Sequence, residues 1–372
     1  PATAYRPLAA PAGLARAATE AFASPRAPAS QFAFTVPPTN VNAGTAITPA
    51  VQVTARDALG NTATAFTGTV SVAIGTSPNG GTLSGTTAVA AVAGVATFAT
   101  LSIDKSGTGY TLTASDGVGS TTSPSFTVAP GSASELIFTG QPTNTTAGTA
   151  IDAPVQVTAR DAFGNTLTGF TGSVTVAIGT NPSGGTLAGT TQVTAVAGVA
   201  TFSTLSIDKS GTGYTLLAAA VGLVSAPSTA FAITPGPVSA SQSTLVATPT
   251  TLTASNGASA ATITVTARDA LGNAIADAPV NFAATGTGNT LSPAATTTNA
   301  SGAATATFSA TVAESKTLSA TVNGVAVTQT ATVTVAPAGA SQLVVTGQPS
   351  SSVAGAIITP AVAVSARDPF NN

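Results

Sequence analysis

Four arginine–aspartate pairs, Arg56-Asp57, Arg160-Asp161, Arg268-Asp269 and Arg367-Asp368, are the residues of this chain whose types and spacing first suggest chemistry. Such a pair could orient a ligand or serve as a catalytic ion pair. The residues in front of each pair argue otherwise. Val51, Val53 and Ala55 alternate with Gln52, Thr54 and Arg56, the pattern of a half-buried strand. Neighbours on a strand point to opposite faces, so arginine and aspartate diverge unless a bulge intervenes. Asp57-Ala58-Leu59-Gly60 then reads as a turn: the carboxylate accepts a backbone N–H, and glycine tolerates positive φ. The expected roles are therefore structural, for Arg56, Asp57 and Gly60, for Arg160, Asp161 and Gly164, and for Arg268, Asp269 and Gly272.

The other chemistry to weigh is metal binding. Asp57, Asp104 and Asp116 in one part of the chain, and Asp152, Asp161 and Asp208 in another, offer oxygens to calcium. Calcium takes about six to eight oxygens, usually from several carboxylates, and no Asp-x-Asp-x-Asp run exists to supply them. Turn and capping roles account for these residues. No cofactor is expected, with calcium at Asp57, Asp104, Asp161 and Asp208 as the weak candidate. The chain has no His and no Cys, which removes Ser-His-Asp and Cys-His catalysis and the usual zinc sites. Gly80-Gly81 and Gly184-Gly185 join strand to strand, not strand to helix, so no phosphate loop is present. The expectation is a protein that is not an enzyme.

The elements that carry these residues repeat. Thr54-Ala55-Arg56-Asp57-Ala58-Leu59-Gly60-Asn61 returns at Thr158–Asn165, Thr266–Asn273 and, degenerate, at Ser365–Asn372, roughly 100 residues apart each time. A period that long marks an array of whole domains. We read 1–30 as an Ala/Pro-rich leader or linker with one short helix possible at Leu14, Ala18 and Phe22. Residues 31–130, 131–236 and 237–337 read as three domains of one kind, and 338–372 as the start of an incomplete fourth. Each full unit shows about seven short strands separated by turns, which describes an all-β, two-sheet sandwich. In the first, Val95 to Ile103 reads as one long strand whose parity clash, Phe98 against Leu101 and Ile103, a bulge near Thr100 would reconcile. Leu101–Tyr110 recurs unchanged as Leu205–Tyr214. Tyr110 and Tyr214 precede a penultimate strand, the place of a tyrosine corner whose hydroxyl ties down a crossing loop; a ligand-stacking tyrosine is the alternative. In the third unit Lys316-Thr317-Leu318 stands there instead, so that corner is expected to be absent.

Composition agrees with thin sandwiches. Only 6% of residues are charged, against about 25% in ordinary globular chains. With a net charge of −2, capture of nucleic acid or an anionic membrane is not expected. No apolar run is long enough to span a bilayer, so no direct membrane insertion is expected. Without Met the chain reads as processed or as part of a longer one, cut within its fourth domain. Two strands cannot bury a core, so 338–372 is not expected to fold independently.

With these residues in place, the third unit resembles the bacterial group-1 immunoglobulin-like domains of invasin and intimin. The resemblance rests on Ile263–Asn273, Pro279-Val280-Asn281-Phe282 and Thr298–Ala304. The first two units are similar to related repeats of large bacterial surface proteins. The resemblance implies tandem immunoglobulin-like sandwiches in an extended array, at the cell surface or outside it. It implies a structural stalk or fibre-forming segment whose partners are neighbouring domains or subunits; the alternative is an adhesion module for a glycan or host receptor.

Overall fold

The computed structural model describes residues 28–117 and 119–372. The helix considered at Leu14–Phe22, and most of the leader, lie outside the described residues. Every element among them is a strand. They form two compact units. One reaches to Ser132 and includes Asp161–Asn165; the other comprises Ala133–Arg160 and Thr166–Asn372.

The first unit holds one sandwich. Its strands are β1 (Gln31–Val36), β2 (Val41–Asn42), β3 (Val51–Arg56), β4 (Thr69–Thr76), β5 (Leu83–Ser84), β6 (Ala88–Ala90), β7 (Val95–Phe98), β8 (Ser102–Ile103), β9 (Gly107–Ser115), β10 (Ser120–Thr122) and β11 (Phe126–Ala129). One sheet runs β1-β3-β7; the other runs β2-β11-β9-β4-β6, with β10 on β9. The alternation in Val51–Arg56 sends Val51, Val53 and Ala55 inward, all buried, while β4 contributes Val70 and Val72 from the facing sheet. β1 pairs β3 alone, so it is an edge, and Pro37-Pro38 follows it where no N–H is needed.

The strand expected over Val95–Ile103 is not continuous. β7 pairs β3, opposing Val51 with Phe98. The chain then turns at residues 99–101, and β8 pairs β5. The Leu101 and Ile103 carbonyls accept the N–H groups of Ile47 and Gly44, each at 2.8 Å. Phe98, Leu101 and Ile103 are all fully buried. A change of hydrogen-bonding partner, rather than a bulge, brings both parities into the core.

The second unit holds two further cores. One gathers Leu136, Val155, Val157, Phe202, Leu205, Ile207, Tyr214 and Leu216. Its strands form a seven-stranded, a three-stranded and a two-stranded sheet, and Ala133–Gly140 touches Leu223–Pro227 in parallel. The other core gathers Ile263, Val265, Val280, Phe308, Leu318 and Val333 between a four-stranded and a six-stranded sheet. The last strands, Gln342–Gly347 and Ala363–Arg367, form a two-stranded sheet with each other. Leu343, Val345 and Val364 are exposed on this hairpin. No helix among the described residues is long and apolar enough to cross a membrane.

Candidate functional site

The repeated turn is the most elaborate polar constellation in the molecule. In each copy one carboxylate oxygen closes the turn. Asp57 Oδ1 accepts from Leu59 N and Asn61 N at 3.0 and 2.9 Å. Asp161 Oδ1 accepts from Phe163 N and Asn165 N, Asp269 Oδ1 from Leu271 N and Asn273 N, and Asp368 Oδ1 from Phe370 N and Asn372 N. Gly60, Gly164 and Gly272 sit at φ +85, +77 and +78, and each N–H bonds the carbonyl of its aspartate. In the fourth copy Asn371, at φ +70, takes this place; asparagine tolerates the left-handed region better than most residues.

The arginines do not join the aspartates: among the described residues no ion pair links them. Arg268 Nη1 donates to the Gly272 carbonyl at 2.7 Å. The Nε atoms of Arg56 and Arg160 are buried without a partner.

The second carboxylate oxygen works outward. Asp161 Oδ2 accepts from Gly131 N and Asn165 Nδ2 at 2.7 and 2.8 Å. Asp269 Oδ2 accepts from Gly236 N and Asn273 Nδ2 at 2.9 and 2.8 Å. Asp368 Oδ2 accepts from Ala338 N and Asn372 Nδ2 at 2.9 and 2.7 Å. The aspartate thus holds the linker segment and aims the asparagine. Burial by itself pushes the Asp161 and Asp269 carboxyls up; hydrogen bonds from the asparagine side chain and the backbone N–H groups outweigh it and hold both below the ordinary range.

The asparagine, four residues after the aspartate, then grips a loop two residues at a time. Asn273 Nδ2 donates to the Asp208 carbonyl and Oδ1 accepts from Ser210 N, both at 3.0 Å. In the first unit, Asn165 makes the same pair with the Asp104 carbonyl and Ser106 N, at 2.8 and 3.0 Å. Asn372 bonds the Thr311 carbonyl and Ala313 N, both at 2.8 Å. Lysine returns the contact: Lys105 Nζ donates to the Phe163 carbonyl, and Lys209 Nζ to that of Leu271. The apolar residue of the turn covers a bare glycine. A Cβ on Gly44 would fall 2.2 Å from the Phe163 ring, and one on Gly148 would fall 2.9 Å from Leu271 Cδ1.

Sequence reasoning stopped at the turn and missed Asn165, Asn273 and Asn372 as its reaching arm. The available signal was an asparagine four residues after the aspartate in all four copies, together with the unchanged Asp-Lys-Ser that receives it in two.

The calcium candidates are otherwise engaged. Asp104 Oδ1 and Asp208 Oδ1 accept the N–H groups of Thr82 and Thr186, each at 2.6 Å. Among the described residues no three His, Cys, Asp or Glu gather as a metal site would require.

The tyrosines divide. Both rings are fully buried, which removes them from any ligand-stacking surface. Tyr214 Oη donates to the Lys209 carbonyl at 2.9 Å, tying the loop that Asn273 grips. Tyr110 Oη is buried with no partner among the described residues, contrary to the expected corner bond. The neighbouring loops differ at two residues: where the second has Asn181 and Ser183, the first has Ser77 and Asn79, and Asn79 Nδ2 donates to the Ser106 carbonyl. Tyr214→Phe should therefore destabilise its sandwich by about 0.5–1.5 kcal/mol, while Tyr110→Phe should be close to neutral. Hydrogen exchange of the strands beginning Gly107 and Gly211 measures both, and equal losses would show that the two hydroxyls are equivalent.

The third sandwich does keep a corner residue. Lys316 sits fully buried where the tyrosines sit in the others, two residues before an equally buried Leu318. Its Nζ donates to the Thr287 carbonyl at 2.6 Å and pairs with the Glu314 carboxylate. That hydrogen bond, ahead of an opposing effect of burial, holds the Glu314 carboxyl below its usual range. No tyrosine corner stands here, as expected from Lys316 in that position; instead the lysine stem fills the aromatic's volume and its ammonium takes the place of the hydroxyl.

Residues 239–338 match the family model described as invasin, domain 3. No curated protein matches the chain. Among solved structures, the Escherichia coli adhesin FdeC is 20% identical, covering 82% of this chain and 96% of that one, with a TM-score of 0.43. Invasin, described as a bacterial integrin-binding protein, is 17% identical, covering 86% and 62%, with a TM-score of 0.42. Yersinia pseudotuberculosis InvD is 20% identical, covering 79% and 93%, with a TM-score of 0.36.

Proposed function

We propose, from the premise that residues 239–338 are an invasin-type immunoglobulin-like domain, that this chain is a spacer segment of a bacterial surface protein of the adhesin kind. In this reading 31–130, 131–236 and 237–337 are its repeat units, and the chain acts by holding a functional end away from the cell rather than by catalysis. The observation that carries it is the turn itself. Within the second unit, one carboxylate and one carboxamide secure both a linker and a loop in two successive copies. A joint stapled by short hydrogen bonds on both sides resists bending, which is what a spacer requires and a flexible tether does not. The binding alternative asks for an exposed aromatic platform, and both tyrosines that could have supplied one are in the core.

Small-angle scattering of the full chain tests the spacer. Three sandwiches in series, each about 33 Å long, should give a maximum dimension on the order of 100 Å. A particle no longer than a compact globule of the same mass would rule the spacer out. Specific signal on a glycan array would instead favour the adhesion module.

A further inference from the structure

The first copy of the turn has the same internal construction as the others but holds no loop among the described residues. Asp57 Oδ1 closes the turn, and Asn61 Nδ2 reaches Asp57 Oδ2 at 3.3 Å. Beyond that the likeness ends. Asn165 and Asn273 are buried, whereas Asn61 is exposed, and its carboxamide oxygen bonds nothing among the described residues. Leu59 is 86% exposed, against 42% for Phe163 and 41% for Leu271, which cover glycines from the same position.

We propose that Asp57–Asn61, with Leu59 and the Asn61 carboxamide as its contact groups, is a docking surface for a further β-sandwich of the same repeat type. The turns of Asn165 and Asn273 define what the partner must present. It needs a loop with a backbone carbonyl and, two residues on, an N–H for the carboxamide. It needs a left-handed glycine under Leu59, as Gly44 and Gly148 lie under Phe163 and Leu271. A lysine between carbonyl and N–H would reach the Leu59 carbonyl, as Lys105 and Lys209 reach theirs. An Asp-Lys-Ser loop meets the first and third demands. A second copy of this chain is a poor occupant, because its loops at 104–106, 208–210 and 311–313 are already taken by Asn165, Asn273 and Asn372. The inference stands on the geometry of the turns and holds whether the array spaces or binds.

The test extends the full chain by a second copy of residues 28–131 placed ahead of residue 28, so that an Asp-Lys-Ser loop is offered to Asn61. Exchange of the Asn61 side-chain amide is followed by NMR, with Asn165 and Asn273 as internal references in the same molecule. Protection of Asn61 should rise on the order of tenfold over the unextended chain, as two new hydrogen bonds of ordinary strength imply. A second variant, with alanine in place of the appended loop's lysine and serine, should lose part of that gain. Unchanged Asn61 exchange in the extended chain, with Asn165 and Asn273 still protected, would overturn the proposal. So would concentration-dependent dimerisation of the unextended chain abolished by Asn61→Ala, which would identify a second copy as the occupant. Neither readout depends on particle length, so the spacer reading and the docking surface fail separately.

Discussion

Replacing Asp269 by alanine should destabilise the third sandwich and its linker by about 3 kcal/mol, since four donors lose their acceptor and part of that set is buried. Leu271 N, Asn273 N, Asn273 Nδ2 and Gly236 N all point at this one carboxylate. Asp269→Asn separates the two halves of the effect. An amide oxygen placed at Oδ1 still serves the turn, but the amide nitrogen then faces two donors, so the linker and Asn273 are released while the turn survives. Hydrogen exchange should show faster opening of residues 236–243 and of the Asp208–Ser210 loop in both variants, with strand Ala261–Thr266 affected only by alanine. A loss below about 0.5 kcal/mol for alanine would mean that water replaces the carboxylate readily and that the turn does not secure the linker. The pH dependence has a definite sign. The Asp269 and Asp161 carboxyls are depressed in the folded state, so their contribution is full above the unfolded value of about 3.9 and is lost as pH falls through the lower folded value. These turns should therefore stay closed at neutral pH and open only in acid.

Truncating Lys316 to alanine should also cost about 3 kcal/mol. Its buried stem loses three methylenes, each worth about 0.8 kcal/mol, and the Thr287 carbonyl loses a charge-assisted donor. The Glu314 side chain is 44% exposed, so its carboxylate rehydrates and adds little to the loss. Lys316→Met keeps the volume and removes the charge; it should cost only about 1 kcal/mol. The denaturant midpoint of the transition reporting on strand Ser315–Val322 distinguishes the two. Equal losses for alanine and methionine would show that the ammonium, not the packed stem, stabilises this corner.

Much of the fold was legible because it is local. Alternation in Val51–Arg56 and its relatives sets which side chains face inward, and Asp-x-x-Gly sets the turn that ends each strand. A period near one hundred residues sets the repeat of whole sandwiches. These follow from backbone geometry and hydrophobic burial within a few residues of each other. What was not legible depends on groups far apart in the chain. The break between Phe98 and Leu101 exists because the backbone leaves one partner strand for another, and alternation cannot report a change of partner. Lys316 reads as a surface charge until the Thr287 carbonyl and Glu314 are brought beside it. Tyr110 and Tyr214 share one sequence motif, yet only Tyr214 finds a carbonyl, and the loops beside them differ at two residues, Ser77 and Asn79 against Asn181 and Ser183. The asparagine arm is the clearest case. Asn273 and the Asp208 carbonyl lie 65 positions apart, so only the tertiary structure could show that a residue closing its own turn also holds a distant loop. The sequence by itself determined that the turn exists in four copies; the packing around each copy decided that three hold a loop and that, among the described residues, the first holds none.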